Sequence, residues 1–405
     1  MRKILLLFMA AFVTYIAKAQ IITSEDSLSA GLVRNNSSTI ISGYGQAKVD
    51  YDMRLGTGVA SLTRNVLFLG HKFNEKFSLF SEMEIENAKV ESGASGEIAM
   101  EQLFLKININ REMYLVTGLF VPRIGIINEN HLPNTFNGND RHYIESLIIP
   151  STWRELGMSL YGQTRLIPGL NYTLSLMNGL NSASFEYGSG IRGGRQEGSF
   201  ASASNIAMSA SLLYYYNNFR IQLSGYYGGS CGLPKQVADS LKLNNGAFGN
   251  PVSLLESNVQ YRNNGWQIKA LAVMVNVDDA KAINAAYGNN LASQMYGYMA
   301  EAGYNLLFGF NKKTKQNLTL FSRYEVANMN YILPENAVSD DFLKKEFLVT
   351  GLTYQPIRSI AFKIDYVHRS TGDYNKTLYT SNPYSSVLPF YKNNSNLNIG
   401  MAYSF

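Results

Sequence analysis

The C-terminal residues alternate strictly. Leu397, Ile399, Met401, Tyr403 and Phe405 fall on one face of an extended segment, and Asn396, Asn398, Gly400, Ala402 and Ser404 fall on the other. A strand with lipid on one side and water on the other asks for that period of two, whereas a soluble β-sandwich rarely ends flush on an aromatic residue. A half-buried edge strand of a soluble β-protein is the competing reading of this segment by itself. The same alternation recurs upstream. Leu103, Leu105, Ile107 and Ile109 oppose Gln102, Lys106 and Asn108; Phe362, Ile364 and Tyr366 oppose Lys363, Asp365 and Arg369; and Glu82, Glu84 and Glu86 share the face opposite Leu79, Met83 and Ile85. Extended along the chain, the pattern predicts about 16 strands. They start near Ile40, Leu62, Lys76, Glu97, Met113, Trp153, Gly169, Asn205, Asn218, Val252, Trp266, Tyr296, Asn317, Glu346, Ala361 and Ser395. Counts of about 14 or about 18 stay open, because Leu271 to Val277 and similar stretches alternate poorly.

The connections alternate in length as well. Short turns read Asn74-Glu75-Lys76, Asn110-Arg111-Glu112, Arg165 to Gly169, Asn217-Asn218, Asn263-Asn264-Gly265 and Ile357 to Ser359. Between them lie long segments at 53–61, 91–96, 126–152, 181–204, 231–251, 278–295, 331–345 and 372–394, and only 308–316 is long for its set. Short periplasmic turns and longer external loops are what an all-β, antiparallel up-and-down transmembrane barrel of the outer membrane has, with both termini periplasmic. Residues 40–405 then form one barrel domain. A barrel of this size leaves an aqueous channel unless something plugs it. The 27 Tyr and 21 Phe suit two interfacial girdles.

The start of the chain fits export. Arg2 and Lys3 precede an apolar run from Ile4 to Ile16, and Ala17-Lys18-Ala19 offers a cleavage site before Gln20, so residues 1–19 read as a signal peptide. Residues 20–39 are then a periplasmic segment too short for a plug domain. No later stretch reaches the roughly 18 apolar residues of a membrane helix, although 46% of the chain is hydrophobic. Without Arg2, Lys3 and Lys18 the balance of 35 basic and 30 acidic residues falls to about +2, which argues against nucleic acid as a partner.

Candidate chemistry is sparse. His71, His131, His142 and His368 are scattered without metal-ligand spacing, and Cys231 is alone, so neither a metal nor another cofactor is expected. Gly188 to Gly193 matches a dinucleotide fingerprint but has no strand-to-helix context. No G-x-S-x-G elbow occurs. A barrel hydrolase would need a Ser beside His71 or His368.

The third long loop, 126–152, is the richest in charge. Glu129, His131, Asp140, Arg141, His142 and Glu145 lie within it, with Arg123, Arg154 and Glu155 beside it. Folded inward, the loop would narrow the pore and set a transverse field; as a solvated surface loop its charges would do nothing. The candidates for a constriction are Arg123, Glu129, Asp140, Arg141, Glu145, Arg154 and Glu155. The candidate lumen charges are mixed: Glu82, Glu84, Glu86, Glu301 and Glu325 against Lys106, Arg220, Lys269, Arg323, Lys363 and Arg369.

Several stretches resemble the outer-membrane porins of Bacteroidota, a group related to the phosphate-selective porin O and P family. They are Ile41-Ser42-Gly43-Tyr44-Gly45, Phe77 to Glu86, Gly125 to Glu129, Pro133 to Gly138 and Ile149 to Glu155. The resemblance is firm from about 41 to 160 and diffuse beyond. It implies a trimeric 16-stranded porin constricted by its third loop, passing small hydrophilic solutes or ions. It leaves a preference for anions or phosphate open, since the ladder of inward arginines that marks phosphate-selective relatives is not recovered. Tyr403 and Phe405 resemble the C-terminal signal read by the barrel-assembly machinery. A passive porin in outer-membrane lipid, not an enzyme, is therefore the expectation. The alternatives are a structural or adhesive barrel acting through its loops, or a barrel hydrolase.

Overall fold

The computed structural model describes residues 38–90, 96–311, 314–379 and 391–405. The predicted signal peptide and nearly all of 20–39 lie outside them, as does part of the last long loop.

The strands are β1 (Thr39–Asp52), β2 (Thr57–Lys72), β3 (Phe77–Glu86), β4 (Glu97–Asn108), β5 (Met113–Phe120), β6 (Glu155–Gln163), β7 (Leu170–Asn178) and β8 (Ile206–Tyr216), followed by β9 (Phe219–Gly228), β10 (Val252–Asn263), β11 (Trp266–Val277), β12 (Gln294–Asn305), β13 (Asn317–Ile332), β14 (Lys344–Ile357), β15 (Ile360–Thr371) and β16 (Asn393–Ser404). Each pairs antiparallel with its neighbours in sequence, and β16 closes on β1, so the sheet is a barrel of 16 strands. The seam runs from Tyr44 opposite Ser404 to Asp52 opposite Asn396. Phe405 extends it, donating its N–H to the Gly43 carbonyl at 2.9 Å. Tyr403 crosses the seam, and a Cβ on Gly45 would come within 2.5 Å of its hydroxyl, so only glycine lets the ring lie there. That hydroxyl donates to Asn65 on β2 at 2.8 Å.

Closure satisfies the backbone, and the side chains sort by parity. Outward positions carry Leu174, Leu212, Ile221, Leu223, Leu255, Ile268, Phe362 and Ile364, all exposed. Inward positions on β6 to β9 carry buried Ser159, Ser175, Ser211, Gln222 and Ser224. Some of these bridge neighbouring strands, as Ser159 and Ser175 do at 2.8 Å. The outer face is therefore apolar where a soluble protein would be polar. Aromatics bound this band. Phe219 with Tyr261 and Trp266 with Tyr304 sit toward the short turns at ring separations of 4.8 and 4.9 Å, and Tyr296 with Tyr331 sits toward the long loops at 4.9 Å. Leu174, 54% exposed in mid-strand, tests the reading. Leu174→Arg is expected to lower the unfolding free energy in lipid vesicles by about 2–4 kcal/mol, measured by urea titration; a change below about 0.5 kcal/mol would mean that this face does not meet acyl chains.

The predicted starts match closely except at β2. Residues 53–61 were expected to form a long loop, yet β2 begins at Thr57 and only Met53 to Gly56 turn. Asp52 explains it. Its Oδ1 accepts from the N–H groups of Arg54 and Leu55 at 2.9 and 2.8 Å, Gly56 takes a φ of +65°, and this side-chain turn reverses the chain in four residues. The 308–316 connection opens with a short helix, Leu306–Phe310, capped by the Asn305 side chain.

Candidate functional site

The connection from β5 to β6 lies inside the barrel. Its apolar residues are the local reason. Ile124, Ile144, Ile148, Ile149 and Trp153 are at most 1% exposed and form one core with Leu180, Phe185 and Ile191 of the β7–β8 connection and with Val275 and Met295 of the wall. Six isoleucines in one connection could not be left in water at a cost of roughly 1.5–3 kcal/mol each. Within the segment Glu145, 1% exposed, accepts from the N–H groups of Ile126 and Ile127 at 2.6 and 2.8 Å and contacts His142 Nδ1. Gly125, at φ +86°, lies so near that a Cβ would come within 2.4 Å of the same carboxylate.

Polar wall residues hold the segment on several sides. Glu256 accepts from Gly125 N–H at 3.3 Å, Glu325 from Ile144 N–H at 2.9 Å, and Asp365 from the backbone and side chain of Asn139 at 2.8 and 2.6 Å. Lys363 donates to the carbonyls of Pro133 and Gly138. Arg323 bridges Glu325 at 2.7 Å and Glu301 at 3.2 Å while donating to the Asn137 carbonyl at 3.2 Å. Lys269 completes this set on Glu301 at 3.1 Å.

Among the described residues, polar cavities lie around the segment, and three of them bear on its charges. One of about 340 Å³ lies toward the long loops, lined by Arg64, Arg141, Arg154, Arg192 and Arg195 and by Glu84, Glu86, Glu97, Asp140 and Glu197. A second, of about 310 Å³, shares Asp140 and Tyr143 with it and adds Lys48, Arg369 and asparagines of β16. A third, of about 160 Å³, contains Glu82, Arg123, Glu129 and His131 together with Phe68, Phe80 and Phe104. The predicted constriction residues thus divide. Asp140, Arg141 and Arg154 face the larger cavities, Arg123 and Glu129 the smallest. Glu145 and Glu155 are buried in protein, Glu155 accepting from Asn178, Trp153 and Gln196. Of the wall charges, Glu82, Glu84 and Glu86 line cavities, as does Arg369, and Arg220 pairs with Glu129 at 3.2 Å. Arg323 and Lys363 are sequestered beneath the segment, while Lys106 lies 4.1 Å over the Tyr114 ring. Sequence reasoning missed Lys48, Arg64, Glu101, Arg192 and Arg195. For the last two, the only signal was a pair of arginines in and beside the glycine-rich stretch Gly188 to Gly193, which forms a short 3-10 turn, Gly190–Gly194, that folds inward.

The arginines of the largest cavity are incompletely matched. Arg141 donates to Thr152 at 3.3 Å, and its second terminal nitrogen is buried without a hydrogen-bond partner. Burial and the neighbouring Arg64 guanidinium push Arg141 down to about 10 against the pull of Glu101 and Glu84. Burial, Arg195 and Arg141 likewise push Arg192 down to about 10. Such close guanidinium groups favour an anion between them. Both arginines carry charge below their pKa, so any ion selectivity they set is expected to be flat from about pH 6 to 8 and to weaken as the pH nears 10. Reversal potentials across that range check this; a sharp change near pH 7 would assign the selectivity elsewhere.

At the level between the third cavity and the largest one, Tyr44, Glu82, Glu101 and His131 meet. Burial opposes the charge on His131, but Glu82 and Glu101 outweigh it and raise its pKa. The ligand atoms of Glu82, Glu101 and His131 lie within 4.8 Å of one another, a grouping that linear spacing had not suggested. On the outer face His368 Nδ1 lies 3.0 Å from Ser395 Oγ. That hydroxyl also contacts Tyr366 at 2.8 Å, and among the described residues no carboxylate is hydrogen-bonded to the ring to orient it as in a hydrolase.

No family model matches the chain. An uncharacterized protein of Aquifex aeolicus is 28% identical over 347 residues, covering 82% of this chain and 76% of that one. Among solved structures, OmpF of Salmonella typhi, in complex with daunomycin, aligns over 91% of this chain and 97% of its own with a TM-score of 0.58 at 11% identity. The anion-selective porin of Comamonas acidovorans aligns over 91% and 99% with a TM-score of 0.51 at 10% identity. OmpT of Vibrio cholerae, in its trimer form, aligns over 91% and 99% with a TM-score of 0.51 at 8% identity. At these identities the likeness concerns architecture: the fold is that of the outer-membrane porins.

Proposed function

We propose that the chain is an integral outer-membrane porin through which small hydrophilic solutes diffuse passively, with a bias toward anions. The carrying observation is the combination of an apolar outer face with polar cavities that the inward β5–β6 segment leaves along the wall from β16 through β1 to β4. In this reading the short turns and both termini face the periplasm, the long loops face outward, and the segment sets the narrowest cross-section. Arg64, Arg141 and Arg192 give the anionic bias, tempered by Glu84, which pairs with Arg64 at 3.3 Å, and by Glu86 beside it, and the mixed charges orient dipolar solutes. The anion-selective neighbour agrees with that bias, and the trimeric neighbour agrees with a homotrimer as the working unit. The family relation to phosphate-selective porins is part of the same proposal. The barrel-assembly machinery would recognise Tyr403 and Phe405 at the closing strand.

Swelling of liposomes that contain the refolded protein tests the reading. Anionic solutes of a few heavy atoms are expected to enter faster than cationic solutes of equal size, with no cofactor added. Equal rates would remove the anionic bias, and swelling no faster than in protein-free liposomes would remove the channel and favour a structural barrel acting through its loops.

A further inference from the structure

The meeting of Tyr44, Glu82, Glu101 and His131 has a geometry that hydrogen bonding alone satisfies poorly. The residues come from β1, β3, β4 and the internal segment. Tyr44 Oη lies 2.7 Å from Glu82 Oε1 and 3.0 Å from Glu101 Oε2. His131 Nε2 lies 3.2 Å from the same Glu82 oxygen and 3.4 Å from the same Glu101 oxygen. Four donor atoms thus form a closed ring. A phenol has one proton to share between two carboxylate oxygens, and the imidazole edge has one more. Both glutamates are 1% exposed, and removing two carboxylates from water costs several kcal/mol each unless positive charge compensates them.

The remaining oxygens are treated differently. Glu82 Oε2 accepts from Gln102 Nε2 at 2.6 Å. Glu101 Oε1 is buried with Arg154 as its cationic neighbour at 3.9 Å, and the Glu84 carboxyl shares a side-chain hydrogen bond with Glu101. The ring dimensions then matter. With sides of 2.7 to 3.4 Å, a square of four atoms has its centre about 2.2 Å from each corner, which is close to a metal–ligand bond and too short for any other non-bonded occupant. Two carboxylates and one imidazole suit a first-row divalent ion, and a phenol oxygen adds a fourth hard donor. Gln102 would then be the outer partner that fixes a ligating carboxylate.

We propose that Tyr44, Glu82, Glu101 and His131 form a binding site for one divalent first-row cation, of the Zn²⁺ or Mn²⁺ type, which fastens the internal segment to the wall formed by β1, β3 and β4. Binding releases the protons that the phenol and imidazole bring to the ring, and the ion places positive charge between the two buried carboxylates. His131 is the only one of the four on the internal segment, so the ion is the link between loop and wall. The inference stands whether or not the pore conducts.

The test uses the full-length protein refolded in detergent, stripped with EDTA and titrated with ZnCl₂ and separately with MnCl₂ by calorimetry. One ion per chain is expected, with His131→Ala and the Glu82→Gln/Glu101→Gln pair each weakening binding at least about 100-fold. X-ray absorption at the zinc edge of the wild-type protein is expected to show an oxygen and nitrogen shell containing one imidazole. Failure of the stripped wild-type protein to bind either ion, or a bound ion whose shell is water and carboxylate without imidazole, would overturn the proposal. So would a His131→Ala protein that folds, by its heat-modifiable gel mobility, and binds as tightly as wild type.

Discussion

Arg323→Met is expected to lower the unfolding free energy by about 3–5 kcal/mol and to enlarge single-channel conductance. The guanidinium is 1% exposed and compensates Glu301 and Glu325, themselves 1% and 0% exposed. Removing it leaves two carboxylates in protein, with Lys269 still paired to Glu301, and breaking a buried pair by deleting one partner costs about that much. The second part of the effect follows from Asn137, whose carbonyl loses its donor, and from Ile144, whose amide is held by Glu325. Both belong to the internal segment, so the substitution frees that segment on the side facing β12 and β13. Urea titration in vesicles reads the stability and planar bilayers read the conductance. A stable variant of unchanged conductance would show that the segment is positioned by its isoleucine core without help from this ion cluster.

Reversing Arg141 and Arg192 together to Glu is expected to turn the proposed preference for anions into one for cations. Both groups border the largest cavity, and neither is the sole partner of a buried carboxylate. A unit charge at about 4 Å from a permeating ion is worth about 1 kcal/mol in a water-like dielectric. Exchanging attraction for repulsion at one site therefore moves the anion by about 2 kcal/mol, on the order of 30-fold in partitioning. Two sites should be enough to invert the reversal potential in a salt gradient. An unchanged potential would mean that ions pass along the second cavity, beside Lys48 and Arg369, without meeting the arginine cluster.

Much of the fold could be read from alternation because each strand's two faces are a local property. In β16, Ile399 and Met401 point out and Asn398 and Ala402 point in, and nothing distant is needed to see it. The error at β2 is local too: the Asp52 side chain makes a four-residue turn within the stretch expected to be a long loop. The internal segment was harder to read. Its charges, Asp140, Arg141 and Glu145 among them, matched a solvated loop as well as an inward one. The decisive signal was the apolar set Ile124, Ile126, Ile127, Ile144, Ile148 and Ile149, which a solvated loop has no reason to carry. What alternation leaves out is convergence. Tyr44, Glu101 and His131 sit far apart in the chain, and Arg192 and Arg195 reach the cavity from a different loop, so their meeting depends on barrel closure and on the path of two connections.

Single-channel recording from the refolded, heat-modifiable protein in a planar bilayer tests the central claim most directly. Discrete, stable conductance steps, with a reversal potential displaced toward that of the anion in a salt gradient, are the predicted result. A correctly folded barrel that inserts and passes no current would contradict it, because the cavities along β16, β1 and β4 would then not join into a path.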